Sequence, residues 1–231
     1  MDWKTWCNKS FNPKADDDLP QTMTRLVALA GPSCSGKSSL ARLVAEALGQ
    51  APILSTDAYY RDLSHLSPEQ RTKRNFDHPD AVDHDLLAAQ LTLLRAGQPI
   101  LVPRYDFENH VRQSGADLLE PGPWVVVEGL FLLHWPEVRE QLSYRFYLDA
   151  SEQLCLERRL ERDQKQRGRS RESILEQYQN TVLPMRRSYL QADARFAQLS
   201  LDGALSLDAL LEQVLTVLPG NDPDKAAKGN P

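Results

Sequence analysis

Residues 25–49 read RLVALAGPSCSGKSSLARLVAEALG, and the reading of this stretch decides the fold. Leu26 to Ala30 is an apolar run of strand length. It leads into Gly31-Pro32-Ser33-Cys34-Ser35-Gly36-Lys37-Ser38, which satisfies G-x-x-x-x-G-K-[ST] at every fixed position, with Ser39 following. Leu40, Leu43, Val44 and Ala47 then recur at helical spacing, and Gly49 stands where a helix C-terminus favours glycine. Such a loop needs glycine so that backbone N–H groups can close around an anion, and the helix it opens turns a positive dipole end to the same anion. Lys37 is expected on the β- and γ-phosphates of a nucleotide and the Ser38 hydroxyl on Mg²⁺. A strand before the loop and a helix after it are the context the motif requires.

Working outward, further strands and helices alternate. Pro52 to Thr56 reads as a short strand ending at Asp57, and residues 58–82 as polar and turn-rich. DHDLLAAQLTLLRA (83–96) is amphipathic and closed by Gly97; Pro99 to Val102 is a strand candidate, with a loop expected over 103–115. WVVVEGL (124–130) is the clearest buried strand, and YRFYLDA (144–150) another. Helices are expected over 151–166 and 171–191, the second bent or shortened by Pro184. A strand (196–201) and a helix (207–218) close the pattern. Alternation of this kind implies right-handed βαβ units and a mostly parallel sheet covered on both faces. The expected organisation is one domain over 24–218, with a loosely ordered lead-in at 1–23 and a disordered tail at 219–231.

Composition limits the function. Hydrophobic content of 41% and charged content of 26% are those of a globular protein. No apolar run reaches the ~18 residues that cross a bilayer, and MDWKTWCNKSFNPKADDD lacks the apolar core of a secretory signal, so a cytoplasmic protein with no membrane partner is expected. Cys7, Cys34 and Cys155 are too far apart for a disulfide framework or a zinc site. A net charge of −5 argues against nucleic acid as a partner. Against that acidic background, RRLERDQKQRGRSR (158–171) carries seven Lys or Arg and two acids. Either a solvated face or a clamp for a polyanion would account for that run.

Binding a triphosphate does not say what becomes of it. The Asn-Lys-x-Asp element by which guanine-specific switch proteins read their base is absent from the sequence. The buried strand 124–130 ends with Glu128 alone rather than paired acids, which fits a metal-assisting role in an enzyme whose acceptor is not water. Asp57 follows the second strand, at the sheet edge where a base for an acceptor hydroxyl is expected.

Seven stretches together resemble the uridine–cytidine kinase family of P-loop nucleoside kinases, within the phosphoribulokinase and uridine kinase superfamily. They are GPSCSGKSS (31–39), STDAYYRDL (55–63), NFDHPDAVD (75–83), VPRYDFENHVR (102–112), VVVEGL (125–130), RRLERDQKQRGR (158–169) and LEQYQNTVLPM (175–185). The likeness runs from about Leu26 to Phe196. It implies a P-loop NTPase-type three-layer α/β/α fold with a small nucleoside-binding insertion and a helical lid over about 158–176. The implied activity is ATP- or GTP-dependent phosphorylation of the 5′-hydroxyl of uridine and cytidine in pyrimidine salvage, with Mg²⁺ and a homotetramer.

The resemblance also implies roles. Asp57 is the expected base and, with Ser38 and Glu128, surrounds Mg²⁺; Lys37 and Arg162 act on the transferred phosphoryl group. The loop Gly31–Ser39 holds the donor phosphates, with Arg167 and Arg169 reaching them from the lid. Asp77 holds the ribose hydroxyls, with Arg159 across the sugar and Gln177 on the acceptor side. Tyr60, Phe76 and Phe107 wall the nucleoside, while Tyr105 and His110 read the pyrimidine edge.

The chain departs from the family pattern at Arg104, where a small apolar residue is common, at Ser170, where an acid is common, and loosely after Pro184. A related kinase with another acceptor (a sugar phosphate, pantothenate or nicotinamide riboside) is the main alternative; a silent nucleotide-binding regulator is the other. RNFDHPDAVDHD (74–85) invites a zinc reading, but Pro79 sets a turn and Asp83 is placed to cap the next helix, so its ligands divide. Asp77 is left to the sugar.

Overall fold

A computed structural model describes residues 23–219; the expected lead-in and tail lie outside these apart from their inner ends. The β-branched and leucine-rich segments form a five-stranded sheet. Its strands are β1 (Arg25–Ala30), β2 (Ile53–Ser55), β5 (Trp124–Gly129), β6 (Tyr144–Asp149) and β7 (Leu199–Asp202), in the order β2-β5-β1-β6-β7. Every pairing is parallel, Arg25 lying opposite Trp124 and Ile53 opposite Val126. Alternation then builds a core on each face. Leu26, Ala28, Val125 and Val127 pack with Leu87, Leu91 and Leu94 of α3 (His84–Arg95) and with Phe131. Val27, Leu29 and Val126 pack with Leu40 and Val44 of α1 (Lys37–Ala47) and with Leu210 and Val214 of α9 (Leu207–Val217). The layers are therefore α/β/α, as expected. In a parallel sheet all carboxyl ends share one edge, so the loops after β1, β2 and β5 meet there.

Three local expectations are corrected. The loop expected over 103–115 is instead most of an antiparallel hairpin, β3 (Ile100–Asp106) with β4 (Val111–Leu119). Its register shifts between Pro103 and Tyr105, where Pro103 has no N–H to give the ladder. Of the two outcomes expected of Pro184, a bend or an early end, the early end does not occur. The segment runs from α6 (Arg171–Gln177) through α7 (Leu183–Met185) to α8 (Gln191–Asp193), with wide π-type turns at Tyr178–Val182 and Arg186–Leu190. Widened turns relieve the clash of the proline ring with the preceding turn. The last strand starts at Leu199 rather than Phe196, because Ala194–Phe196 continues as a tight turn with the Arg139 guanidinium 3.7 Å over the Phe196 ring. Two short helices were not foreseen: α2 (Pro68–Thr72), opened by a capping box between Ser67 and Gln70, and α4 (Pro136–Arg139).

One glycine sets the site's geometry through close approach. A Cβ on Gly129, at the end of β5, would lie 1.8 Å from Thr56 Oγ1. Thr56 is buried and starts the turn that carries Asp57. Gly129→Ala should therefore destabilise the protein by roughly 1–3 kcal/mol through overpacking and move that turn. Thermal or urea unfolding checks this; an unchanged midpoint would mean that Thr56 is free to retreat.

Candidate active site at the carboxyl ends of the strands

The loop between β1 and α1 runs from Gly31 to Gly36. Gly31 (φ 142°), Cys34 (φ 65°) and Gly36 (φ 112°) take the left-handed turns, and a Cβ on Gly31 would meet the Leu148 carbonyl oxygen at 2.3 Å. Lys37 is buried and donates through Nζ to the Pro32 carbonyl at 2.8 Å. Burial pulls its ammonium below the ordinary lysine value, while the charges of Glu128 and Asp57 oppose that pull. Arg158 donates to the carbonyls of Ser35 (2.9 Å) and Gly203 (3.0 Å), which ties α5 (Glu152–Arg167) to the loop.

Glu128, the penultimate residue of β5, accepts from Ser38 Oγ (3.1 Å) and Ser55 Oγ (2.7 Å). Ser55 closes β2 and its hydroxyl also accepts from the Asp57 N–H. Asp57 opens into the cleft. Desolvation, then the Glu128 charge, raises its carboxyl above the ordinary aspartate value, against the fields of Lys37, Arg167 and Arg162; the exposure of the side chain limits that rise. Ser38, Asp57 and Glu128 offer one hydroxyl and two carboxylates, a hard-oxygen set that fits Mg²⁺ rather than a soft metal.

Five aromatic residues expected around a nucleoside come together from three segments. Tyr60 meets Phe76 at 5.4 Å, Tyr105 at 5.5 Å and Phe107 at 6.5 Å between ring centroids. Phe76 stacks on His110 at 4.4 Å. No ring fits between those two, so a flat ligand would lie against their outer faces. The Tyr105 hydroxyl is buried without a hydrogen-bond partner. Burial pushes its pKa up to about 12 and pulls that of His110 down, so both are neutral near pH 7. An open groove of about 890 Å³ leads from Asp57, Tyr105 and Phe107 along the edge of β2.

Asp77 sits across from Arg159, whose Nη2 lies 3.8 Å from Oδ1. Arg159 is buried and also donates to Ser33 Oγ (3.3 Å) and Gln177 Oε1 (3.4 Å), joining Asp77, the loop and α6. Burial raises the Asp77 carboxyl, and Arg159, Arg162 and Arg167 lower it. Arg169 donates to the same Gln177 oxygen, Arg162 lies half-buried, and Arg167 is exposed at the end of α5. The remaining ligands of 74–85 divide as expected. His78 caps a tight turn by accepting from the Asp80 N–H, leaving Nε2–H to donate to Tyr189 Oη (3.0 Å). Asp83 caps α3 and pairs with Arg112. His84 stacks on Trp135 and lies 2.9 Å from Glu137, near Asp85 at the surface.

Residues 26–202 match the model of the Phosphoribulokinase / Uridine kinase family. The chain belongs to that family. A uridine kinase of Chloroflexus aurantiacus is 38% identical over 199 residues, 84% of this chain and 95% of that one. Two solved structures share the fold. One is named a possible uridine kinase, from Bacillus stearothermophilus (TM-score 0.57, 17% identity, 82% of this chain and 95% of that one). The other is a D-glycerate 3-kinase from Cryptococcus neoformans (TM-score 0.58, 15% identity, 78% and 84%). As a member of the Phosphoribulokinase / Uridine kinase family the protein is a kinase, a nucleotide-binding transferase. Within this kinase, Ser55, Arg158 and Asp163 were not singled out from the sequence. Ser55 could have been found as the last residue of a strand two positions before Asp57; Arg158 and Asp163 were hidden in a basic run that looked uniform. Among the described residues no helix is long and apolar enough to cross a membrane.

Proposed function

We propose that the enzyme transfers the γ-phosphoryl group of ATP (or GTP) to the 5′-hydroxyl of uridine or cytidine, giving UMP or CMP for pyrimidine salvage. The observation that carries this reading is the buried, unpartnered hydroxyl of Tyr105 in an aromatic cage that, through Tyr60 and Phe76, also includes His110, whose pKa burial lowers. A buried hydroxyl without a partner is costly, and a ligand that completes it is favoured. A phenol and a neutral imidazole each offer a donor and an acceptor. By choice of rotor and tautomer they suit either the carbonyl of uracil or the amine of cytosine at the same ring position. Asp77 accepts from the two ribose hydroxyls with Arg159 across from it, and Tyr60, Phe76 and Phe107 wall the ring.

Asp57 takes the 5′-hydroxyl proton as the oxygen attacks phosphorus in line. Backbone N–H groups of Gly31–Ser39 and Lys37 hold the donor phosphates, and Arg162, Arg167 and Arg169 cover them. Ser38, Asp57 and Glu128 would hold Mg²⁺, which screens phosphate charge when bound. Gln177 fixes Arg159 and Arg169 relative to each other. A cytoplasmic location, a homo-oligomer and an independent 24–218 domain with a 158–176 lid belong to the same reading.

ADP release with ATP and Mg²⁺ across uridine, cytidine, purine nucleosides, ribulose 5-phosphate, pantothenate and nicotinamide riboside tests it. Release with uridine and cytidine is expected; release only with a non-pyrimidine acceptor would overturn it. His110→Ala should narrow the preference for pyrimidine over purine nucleosides about tenfold or more, the scale of ~1.4 kcal/mol. Its KM for ATP should stay within about twofold; an ATP effect as large as the nucleoside effect would remove His110 from the base site.

A further inference from the structure

At the C-terminal end of α5, Asp163 is fully buried. An isolated carboxylate there would be strongly disfavoured, and it is retained by three arginines. Arg162 donates to Oδ1 through Nε at 2.8 Å; Arg167 Nη1 lies 3.6 Å from Oδ1 and Arg169 Nη1 3.8 Å from Oδ2. Its carbonyl closes the Gly168 turn by accepting from the Gly168 and Arg169 N–H groups. Two details separate this from an ordinary buried ion pair. Arg162 spends only Nε on Asp163, so both terminal nitrogens are left without a protein hydrogen bond among the described residues. Oδ2 of Asp163 itself accepts no hydrogen bond. Meanwhile the fields of Arg162 and Arg167 reach both Asp57 and Asp77, where they favour the ionised carboxylates.

We propose that Asp163 is a positioning residue for phosphoryl transfer: it holds Arg162 by Nε so that the terminal nitrogens face the moving phosphoryl group, and keeps Arg167 and Arg169 gathered in the lid. One carboxylate among three guanidiniums relieves their mutual repulsion yet leaves the lid net positive for phosphate. A lysine could not serve, because its single nitrogen cannot bond Asp163 and phosphate in two fixed directions. The inference rests on the phosphotransferase reading above but not on which acceptor is used.

A double-mutant cycle with Asp163→Asn and Arg162→Lys tests it, using wild-type turnover of uridine as reference. Asp163→Asn should lower kcat about 30- to 300-fold, comparable to losing one preorganised transition-state donor, with KM for uridine and Kd for a non-hydrolysable ATP analogue within about threefold. In the Arg162→Lys background the same change should cost less than about threefold, because the residue it positions is gone. Equal losses in both backgrounds would overturn the proposal, as would a lower melting temperature with kcat per folded molecule unchanged. If Asp163→Asn does not accumulate folded, Arg162→Lys alone decides: kcat as low as that of Arg162→Ala supports the proposal, and wild-type kcat overturns it. A wild type silent on uridine would instead sink the pyrimidine reading, and the cycle would then be run on whichever acceptor the panel identifies.

Discussion

Asp57→Asn is expected to lower kcat about 10²- to 10⁴-fold, the usual worth of a positioned general base, while the Kd for ATP stays near wild type. The carboxylate stands at the end of β2 beside Glu128 and opens into the cleft, whereas the phosphate-loop contacts are made by other residues. Because desolvation and the Glu128 charge raise its pKa in the ion-free protein, the acid limb of kcat/KM should lie above the ~4 of an ordinary aspartate when Mg²⁺ is scarce, and Mg²⁺ at Asp57 should draw that limb down. As pH falls through that raised value Asp57 gains its proton and activity is lost; in the Asn variant the limb should vanish. For stability the sign is opposite. A carboxyl with a raised folded-state pKa favours the fold while protonated, and that contribution is lost as pH rises through the folded pKa. At neutral pH the ionised side chain is therefore a cost, and Asp57→Asn should melt no lower than wild type. Stopped-flow turnover with a melting curve checks both; an unchanged kcat would remove Asp57 as the base.

Asp77→Ala is expected to raise KM for uridine about 100-fold or more. Two charge-assisted hydrogen bonds to a ribose diol, at ~1.5–3 kcal/mol each, set that scale. The substitution also strips Arg159 of its facing carboxylate while Ser33 and Gln177 still hold it, so the loop side should survive. Two controls separate sugar recognition from general damage. Discrimination against 2′-deoxyuridine should largely disappear, since its missing hydroxyl no longer leaves a carboxylate unpaired. Added zinc should not restore turnover, because the carboxylate serves a sugar and not an ion. A variant with unchanged uridine KM and intact 2′-deoxy discrimination would contradict the assignment.

The parts of this site that were legible in the sequence are those whose chemistry is local. The phosphate loop needs its own glycines, Lys37 and Ser38 at fixed spacing, and Asp83 caps a helix three residues on. The strands β1 and β5 announce themselves because both of their faces are buried. Of the β3–β4 hairpin only the start of β3 is legible, in the strand expected over Pro99–Val102; the rest stands off the sheet with Leu118 exposed and Pro103 interrupting β3, so neither alternation nor a continuous apolar run marks it. The aromatic residues were named from resemblance, and only the fold brings Tyr60, Phe76 and His110 into one cage. Contacts between distant segments left no local trace at all. Arg159 and Ser33 are 126 positions apart, and Tyr189 and His78 are 111 apart. Asp163 is the sharpest case. It stands in a basic run as a minority charge, and only its burial shows that Arg162 and Arg169 gather on it rather than being fully solvated.

The most direct measurement follows the phosphorus. The purified protein, incubated with ATP, Mg²⁺ and uridine, should yield one new ³¹P monoester resonance, that of uridine 5′-monophosphate, beside the two resonances of ADP as the γ- and β-phosphoryl signals of ATP decline. With 5′-deoxyuridine, which fits the same pocket but lacks the acceptor oxygen, no phosphorylated product should form. A phosphate ester that still appears on 5′-deoxyuridine, or ATP consumed with no uridine ester formed, would contradict phosphorylation of the nucleoside 5′-hydroxyl at this site.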